Sequence, residues 1–187
     1  PTTKSGDIQI NATGTLTLAD ENSRISNVLD GEAIGKSGNV NITTGSLVVS
    51  NDAILSADTF GIGDAGNIFI ASDKLLVDDA IIGSSVQSRA VGNGGNIFIK
   101  VNDAVSLVNA IVDSNIESGT VGSGGTINIE AGSLSITDST QVQSFVRTKD
   151  GEQTPGIRNG GNVNINVRGT VNISGIKDGI ASGISST

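Results

Sequence analysis

A short phrase that recurs along the chain constrains its fold more than any other feature. The phrase is Gly, then a small polar residue, then two β-branched residues on either side of a variable one, as in residues 95–99 (GNIFI). Its six copies begin at Gly6, Gly38, Gly66, Gly95, Gly125 and Gly161, at intervals of 32, 28, 29, 30 and 36 residues. Periods of this length are typical of solenoids, propellers and other repeat architectures.

Each repeat predicts three short β-strands. In the unit that starts at Gly66, Ile68 and Ile70 alternate with outward positions, which is the period-two pattern of a strand buried on one face. A second strand is predicted around Leu75 and Val77, and a third around Ile82, each after a polar bend. Apolar residues nowhere keep a helical spacing over the roughly 10 residues that a helix requires.

Three short strands in about 30 residues fit one coil of a parallel β-helix, whereas a propeller blade needs four strands in about 40 residues. We therefore predict an all-β fold, a parallel β-helix (β-solenoid) of about six coils with three short strands per coil. The coils start near the six Gly positions, and residues 1–187 form a single β-helix repeat domain. Because the chain begins one short segment before a repeat, we expect it to be an excerpt of a longer chain.

In-register stacking of the coils places equivalent residues in columns. The apolar column that is predicted to face the core comprises Ile8, Val40, Ile68, Ile97, Ile127 and Val163. The polar column that is predicted to form a ladder of side-chain hydrogen bonds comprises Asp7, Asn39, Asn67, Asn96, Thr126 and Asn162. Phe69 and Phe98 share an outward column and should stack about 4.8 Å apart. An exposed aromatic pair indicates a surface contact site, and mutual packing beneath a neighbouring loop is the alternative.

Composition excludes several classes of function. The chain has 26 Gly and 4 Phe but no Trp, Tyr, Met, Cys or His, which excludes disulfides, thiolate metal sites and an aromatic-filled enzyme interior. Its net charge of −8, with 11 scattered basic residues, argues against binding to nucleic acid. No apolar run approaches the roughly 20 residues of a membrane span, so we expect no direct membrane insertion.

Candidates for catalysis or metal binding are few. The remaining acid–base groups are Asp, Glu, Lys and Arg, and adjacent residues such as Asp78 and Asp79 point to opposite faces of a strand. The Gly-rich bends at residues 61–64 and 92–95 depart from the Gly-Gly-x-Gly-x-Asp repeat of calcium-binding β-rolls. We therefore predict no catalytic residues, no metal site and no cofactor.

Two segments depart from the repeat. A polar, charged stretch at residues 147–156 is predicted to protrude as a loop that presents Arg147, Lys149, Asp150 and Glu152. After Ile173 the pattern gives way to Gly- and Ser-rich sequence, which predicts an incomplete or frayed last coil. Uncovered strand edges at the ends of a solenoid favour end-to-end self-association, which we expect unless further coils cover them.

The repeats of filamentous-haemagglutinin-like exoproteins of Gram-negative bacteria resemble four phrases of this chain, at residues 94–97 (GGNI), 65–68 (AGNI), 132–136 (GSLSI) and 56–61 (SADTFG). Variants in cyanobacterial surface proteins are especially similar, and the resemblance covers roughly residues 6–173. It implies a right-handed coil and export by the two-partner secretion route. The family's amino-terminal secretion domain, with its Asn-Pro motifs, has no counterpart in this sequence, so the chain resembles the shaft.

The resemblance implies a function in adhesion. The chain is expected to be a rod-like segment of a secreted adhesin on the outer surface of a Gram-negative bacterium, with surface glycans or neighbouring cells as partners. A carbohydrate-active β-helical enzyme, either a polysaccharide lyase or a hydrolase, is one alternative. A purely structural spacer or extracellular filament protomer is the other.

Overall fold

The computed structural model describes residues 3–117, 119–147 and 159–187 of the chain. Within these ranges the chain forms β-strands and no helix. The strands β1 to β20 are, in chain order, Thr3–Lys4, Ile8–Asn11, Thr15–Leu18, Arg24–Ser26, Gly35–Lys36, Val40–Ser50, Ile54–Ser56, Ile68–Asp78, Ile81–Gly83, Ile97–Val101, Ala104–Val108, Ile111–Asp113, Ile127–Ala131, Ser133–Thr137, Gln141–Ser144, Val163–Val167, Val171–Ile173, Ile176–Lys177, Ile180–Ala181 and Gly183–Ser186.

Parallel pairing between successive repeats confirms the predicted β-helix. The first strand of each coil pairs with its equivalent one repeat later, in the order β2, β6, β8, β10, β13 and β16. First and second strands together form a 10-stranded sheet, and third strands form a 6-stranded sheet. The register aligns Ile68, Ile97 and Ile127, so the predicted columns exist. The right-handed sense of the coil stays a prediction from the family resemblance.

The number of complete coils is slightly lower than the six anchors predicted. Strands are paired on both sides in about four turns, which run from β6 to β15. In the first coil β2, β3 and β4 pair on one side only, and in the last coil β16, β17 and β20 do the same. An anchor marks where a coil begins, but a coil is complete only when neighbours cover both of its edges. End-to-end association through these uncovered edges stays a prediction.

The first two strands of a coil merge in two of the repeats. β6 and β8 each run for 11 residues across the corner where the sequence predicted a break. Pairing continues through the corner, where Thr44 lies opposite Ser72. The buried Thr44 hydroxyl donates a hydrogen bond to the carbonyl oxygen of Gly14 at 2.8 Å. The neighbouring coil therefore supplies the hydrogen-bond acceptor that the buried hydroxyl needs, and the strand continues through the corner without a turn.

The core is a thin column of β-branched and Leu side chains. Val40, Ile68, Ile97 and Ile127 are fully buried. Each such burial contributes about 1.5–3 kcal/mol. Their equivalents in the terminal coils, Ile8 and Val163, are only partly buried, because each is covered by a coil on one side. A second, smaller cluster of Val86, Ala90, Ile116 and Val146 packs beside the Gly-rich bends.

The predicted polar column forms a hydrogen-bonded ladder. Its lowest step is the backbone N–H of Asn39, which donates to Asp7 Oδ1 at 2.8 Å. The side-chain Nδ2 of Asn67 donates to Asn39 Oδ1, and that of Asn96 donates to Asn67 Oδ1, both at 3.1 Å. These amides also accept backbone N–H groups from the next coil, as Asn96 Oδ1 does from Thr126 at 2.9 Å. The column therefore stabilises the stack.

The repeated Gly is required by close stacking of the coils. A Cβ atom on Gly66, Gly95 or Gly125 would overlap the carbonyl oxygen of the equivalent Gly in the preceding coil. Buried Ser hydroxyls bind the same carbonyls, since Ser114 Oγ donates to the carbonyl oxygen of Gly95 and Ser144 Oγ to that of Gly125, both at 2.7 Å. A side chain at the anchor would displace both the backbone and the hydroxyl.

The last coil continues beyond Ile173 to a third strand, although its strands are paired on one side only. β20 pairs in parallel with β15, and Ile184 lies opposite Val142. The intervening residues form an antiparallel hairpin of β18 and β19. Gly175 and Gly179 have positive φ values of 90° and 80°, so these glycines shape the hairpin and its approach.

Candidate functional site

The outward column of the first strands carries the exposed aromatic pair. It comprises Gln9, Asn41, Phe69, Phe98, Asn128 and Asn164. The predicted stacking of Phe69 and Phe98 is confirmed, with ring centroids 4.9 Å apart and ring planes 4° from parallel. The two side chains remain 38% and 36% exposed. Phe69 stacks on Phe98 on one side, and its neighbour on the other side is the smaller Asn41, which leaves space beside the ring.

A groove of ≈ 470 Å³ occupies this space. We call it the aromatic groove, and it is lined by Gln9, Asn41, Ile42, Thr43, Phe69, Ile70, Ala71, Phe98 and Lys100. It crosses four successive coils, so at about 4.8 Å per coil it extends over about 14 Å along the rod. Aromatic surface beside a few amides and hydroxyls is the usual lining of a ligand site.

A second groove continues from the first on the same side of the rod. We call it the polar groove; it has a volume of ≈ 380 Å³ and is lined by Thr43, Thr44, Ala71, Ser72, Asp73, Lys100 and Asn102. It shares Thr43, Ala71 and Lys100 with the aromatic groove. Within it, Nδ2 of Asn102 donates to Asp73 Oδ1 at 2.7 Å, which holds this amide and carboxylate in place.

A third groove lies between the hairpin and the side of the rod. It measures ≈ 340 Å³, and Ile81, Ile111 and Ile180 contribute its apolar surface. Asp79, one of the adjacent carboxylates considered in the sequence, lines this groove and accepts a hydrogen bond from Asn109 Nδ2 at 2.7 Å. Asp79 therefore binds its column neighbour, as expected for a residue in a stacking column.

The predicted protruding segment is only partly described. Lys149, Asp150 and Glu152 lie outside the described residues. Arg147 lies on the stack, because its backbone N–H donates to the carbonyl oxygen of Ile116 at 2.8 Å. Its guanidinium approaches Glu117 at 3.3 Å, with the Nε and Oε1 atoms in contact, and lies 5.2 Å from the centre of the Phe145 ring.

A pair of carboxylates that the sequence analysis missed converges beside the third strands. Asp58 and Asp113 come from coils that are not adjacent, and Gly83 lies in the coil between them, opposite Asp113 on one side and opposite Ser56, two residues before Asp58, on the other. A Cβ on Gly83 would lie 2.8 Å from Asp113 Oδ1 and 3.8 Å from Asp58 Oδ1. The missing side chain therefore lets the two carboxylates approach. The backbone N–H of Ser85 donates to Asp58 Oδ1 at 2.7 Å, and Asn115 Nδ2 donates to Asp113 Oδ2 at 2.9 Å.

The environment of this pair disfavours ionisation. Burial, followed by the charges of Asp58 and Glu117, raises the pKa of Asp113 to about 7, while Arg147 and Ser85 act in the opposite direction. Burial also raises the pKa of Asp58, against hydrogen bonds from Ser85 and Gln87. Asp113 therefore takes up a proton as the pH falls through about 7.

The raised pKa makes stability depend on pH at this position. The folded-state pKa of Asp113 lies above its ordinary value of 3.8. The stability that the protonated carboxyl group contributes is therefore fully present below about pH 4 and is lost as the pH rises to about 7. We expect Asp113→Asn to be more stable than the original chain by about 2 kcal/mol at pH 8, and the gap should close towards pH 4. Urea unfolding followed by circular dichroism across this range measures the difference.

The exposed Asp30 provides the matched control for this measurement, since Asp30→Asn removes a carboxylate that faces solvent. We expect the control to stay within about 0.5 kcal/mol of the original chain at every pH. A gap between Asp113→Asn and the original chain that does not change with pH would contradict the raised pKa.

A residue-by-residue alignment of the coils could have revealed the carboxylate pair from the sequence. The pairing of Ser56, Gly83 and Asp113 sets one column, and Asp58 follows Ser56 by two residues. The Phe pair was visible because equal residues occupy successive repeats. Among the residues that the structure describes, no group of three acidic, His or Cys side chains is placed to hold a metal ion.

Comparison with known proteins identifies no family for this chain. No family model, curated protein or solved structure matches this chain. The described ranges also contain no helix that is long and apolar enough to cross a membrane.

Proposed function

We propose that the chain is a rod-like segment of a secreted or cell-surface adhesin of the filamentous haemagglutinin type, and that it acts as a binding and structural module. Export by two-partner secretion from a Gram-negative bacterium is part of this proposal. The repeat phrases support the family, and the stacked coils support the role of a rod, because each coil stacks on its neighbours and extends the same surface.

The exposed Phe69–Phe98 stack in the aromatic groove is the observation that carries the binding role. Exposure of two large apolar side chains to water is unfavourable in free energy. An exposed apolar surface of this kind is typical of contact sites. They project from strands paired on both sides, so a partner would meet a preformed surface and little ordering would oppose binding.

An adhesion assay tests this function. We expect fluorescent beads that carry the chain to adhere to bacterial cells or to matrix-coated glass more than beads that carry albumin. The matched control is the core variant Ile127→Asp, which should not fold and should not adhere. Failure of the folded chain to adhere to any of these surfaces would reject the adhesin and leave the structural spacer or filament protomer.

The Asp58–Asp113 pair favours one second candidate, the carbohydrate-active enzyme. Glycoside hydrolysis uses two carboxyl groups, one of them a general acid whose pKa is raised, and the pKa of Asp113 is raised to about 7. A catalytic role requires that Asp113→Asn abolish release of reducing ends or unsaturated products from acidic and neutral polysaccharides. If the original chain releases none, the pair is structural.

A further inference from the structure

We propose that the aromatic groove and the polar groove together form one binding site for a neutral polysaccharide, with a sugar ring against Phe69 and hydroxyl groups bound by the surrounding polar side chains. The inference deepens the proposed adhesin function, because it names the partner of that surface. It rests on the geometry and charge of the two grooves.

The aromatic pair suits one side of a sugar. A pyranose has a face of C–H groups, and that face packs on aromatic rings, which carry a negative potential on their faces. One face of Phe69 is covered by Phe98, and its other face is turned towards the smaller Asn41. A sugar ring placed there would continue the stack and remove apolar surface from water without needing an apolar ligand.

The polar side chains suit the hydroxyl groups on the rim of a sugar. Gln9 and Asn41 supply amides on one side of Phe69, and Lys100 supplies an ammonium group on the other. Asp73 and Asn102 add a carboxylate and an amide that are already bonded to each other at 2.7 Å. A hydroxyl both donates and accepts hydrogen bonds, so neighbouring donors and acceptors of this kind satisfy it.

The dimensions of the site suit a chain of sugars. The aromatic groove extends over about 14 Å along the rod, at about 4.8 Å per coil. A linear polysaccharide extends roughly in the plane of its rings, so a sugar stacked on Phe69 directs the chain across the rod, along the strands, towards the polar groove. Because Thr43, Ala71 and Lys100 line both grooves, an oligosaccharide can occupy them together.

Charge decides between neutral and acidic polysaccharides. Lys100 and Asp73 are the charged residues that line the two grooves, and their charges cancel. Glu130 lies opposite Lys100 in the register of the sheet, which lowers the local positive potential further. The whole chain carries −8 and repels polyanions. A neutral ligand is therefore favoured over a sulfated or uronic acid polymer.

Titration with defined oligosaccharides tests the proposal. The probes are hexasaccharides of glucose, mannose, galactose and xylose, with a heparin hexasaccharide as the polyanion. Because the chain has no Trp or Tyr, binding is followed by calorimetry and by backbone amide shifts. We expect at least one neutral probe to bind with Kd below about 1 mM. Its largest shifts should fall on β6, β8 and β10.

Variants of exposed Phe residues connect binding to the grooves. Phe69→Ala and Phe98→Ala should each weaken binding at least about tenfold. The matched control is Phe60→Ala, since Phe60 is 46% exposed on a Gly-rich bend and lines neither groove. It should bind as the original chain does. Thermal unfolding of all three variants establishes that they remain folded.

The outcomes separate this site from the adhesin function. Binding of heparin alone, binding that Phe69→Ala and Phe98→Ala leave unchanged, or no binding of any neutral probe by about 10 mM would overturn the proposal. If the beads still adhere to cells in any of these cases, the adhesin function stands and uses another surface. If a neutral probe binds at the grooves but the beads do not adhere, the sugar site stands and the adhesin function fails.

Discussion

Replacing Ile127 by Asp is expected to unfold the rod under conditions in which Asn128→Asp leaves it folded. The two residues are adjacent in β13 and face opposite sides of the sheet. Ile127 is fully buried between Ile97 and Val163, whereas Asn128 is partly exposed in the outward column. The same chemical change is thus made on the two sides of one strand.

The size of the effect follows from burial. Losing the Ile side chain removes about 1.5–3 kcal/mol, and an unpaired carboxylate in an apolar site costs several kcal/mol more. The sum, at least about 5 kcal/mol, is comparable with the whole stability of many domains. At position 128 the new carboxylate can still accept the hydrogen bond that Asn164 Nδ2 donates at 2.9 Å, so we expect a change within about 0.5 kcal/mol.

Urea unfolding by circular dichroism and amide hydrogen exchange measure both variants. In a solenoid each coil contacts only its neighbours, so loss of protection should begin in β10, β13 and β16 and spread outwards. Equal unfolding midpoints for Ile127→Asp and Asn128→Asp would mean that the inward column is assigned to the wrong face.

Gly95→Ala is expected to destabilise the rod strongly, although it adds only a single methyl group. The new Cβ would overlap the carbonyl group of Gly66 and the hydroxyl of Ser84. Neither neighbour can move freely, because Gly66 is part of the stacked backbone and the buried Ser84 hydroxyl donates to that same carbonyl. We expect a loss of about 4 kcal/mol, since relief of the overlap requires separation of two coils.

Gly14→Ala is the matched control for this variant. A Cβ on Gly14 meets no atom within 4 Å, and its φ is not positive. We expect a neutral or slightly stabilising effect of about 0.5 kcal/mol, because Ala restricts the unfolded chain. Thermal unfolding of the two variants decides the matter. If Gly95→Ala unfolds at the same temperature as Gly14→Ala, close contact between the coils does not explain the repeated Gly.

The amino-acid sequence alone determined the fold class and the columns. Alternation at Ile68 and Ile70 predicted the buried face of the strand, and the recurrence of the phrase predicted which residues stack. The stacking of Phe69 on Phe98 and the ladder through Asn67 and Asn96 followed directly. In a parallel β-helix the sequence period becomes the vertical spacing, so equivalent positions are neighbours in space.

Only the tertiary structure decided the contacts that depend on unequal residues or on exact distances. Asp58 and Asp113 meet because Gly83 leaves a gap between them, and no repeat of equal residues marks that gap. The aromatic groove depends on the difference in size between Phe69 and Asn41, which is its neighbour in the preceding coil. The third strand of the last coil, β20, was hidden because a hairpin separates it from β17. Periodicity specifies which coil lies above which, whereas the shape of a surface depends on the individual side chains at each level.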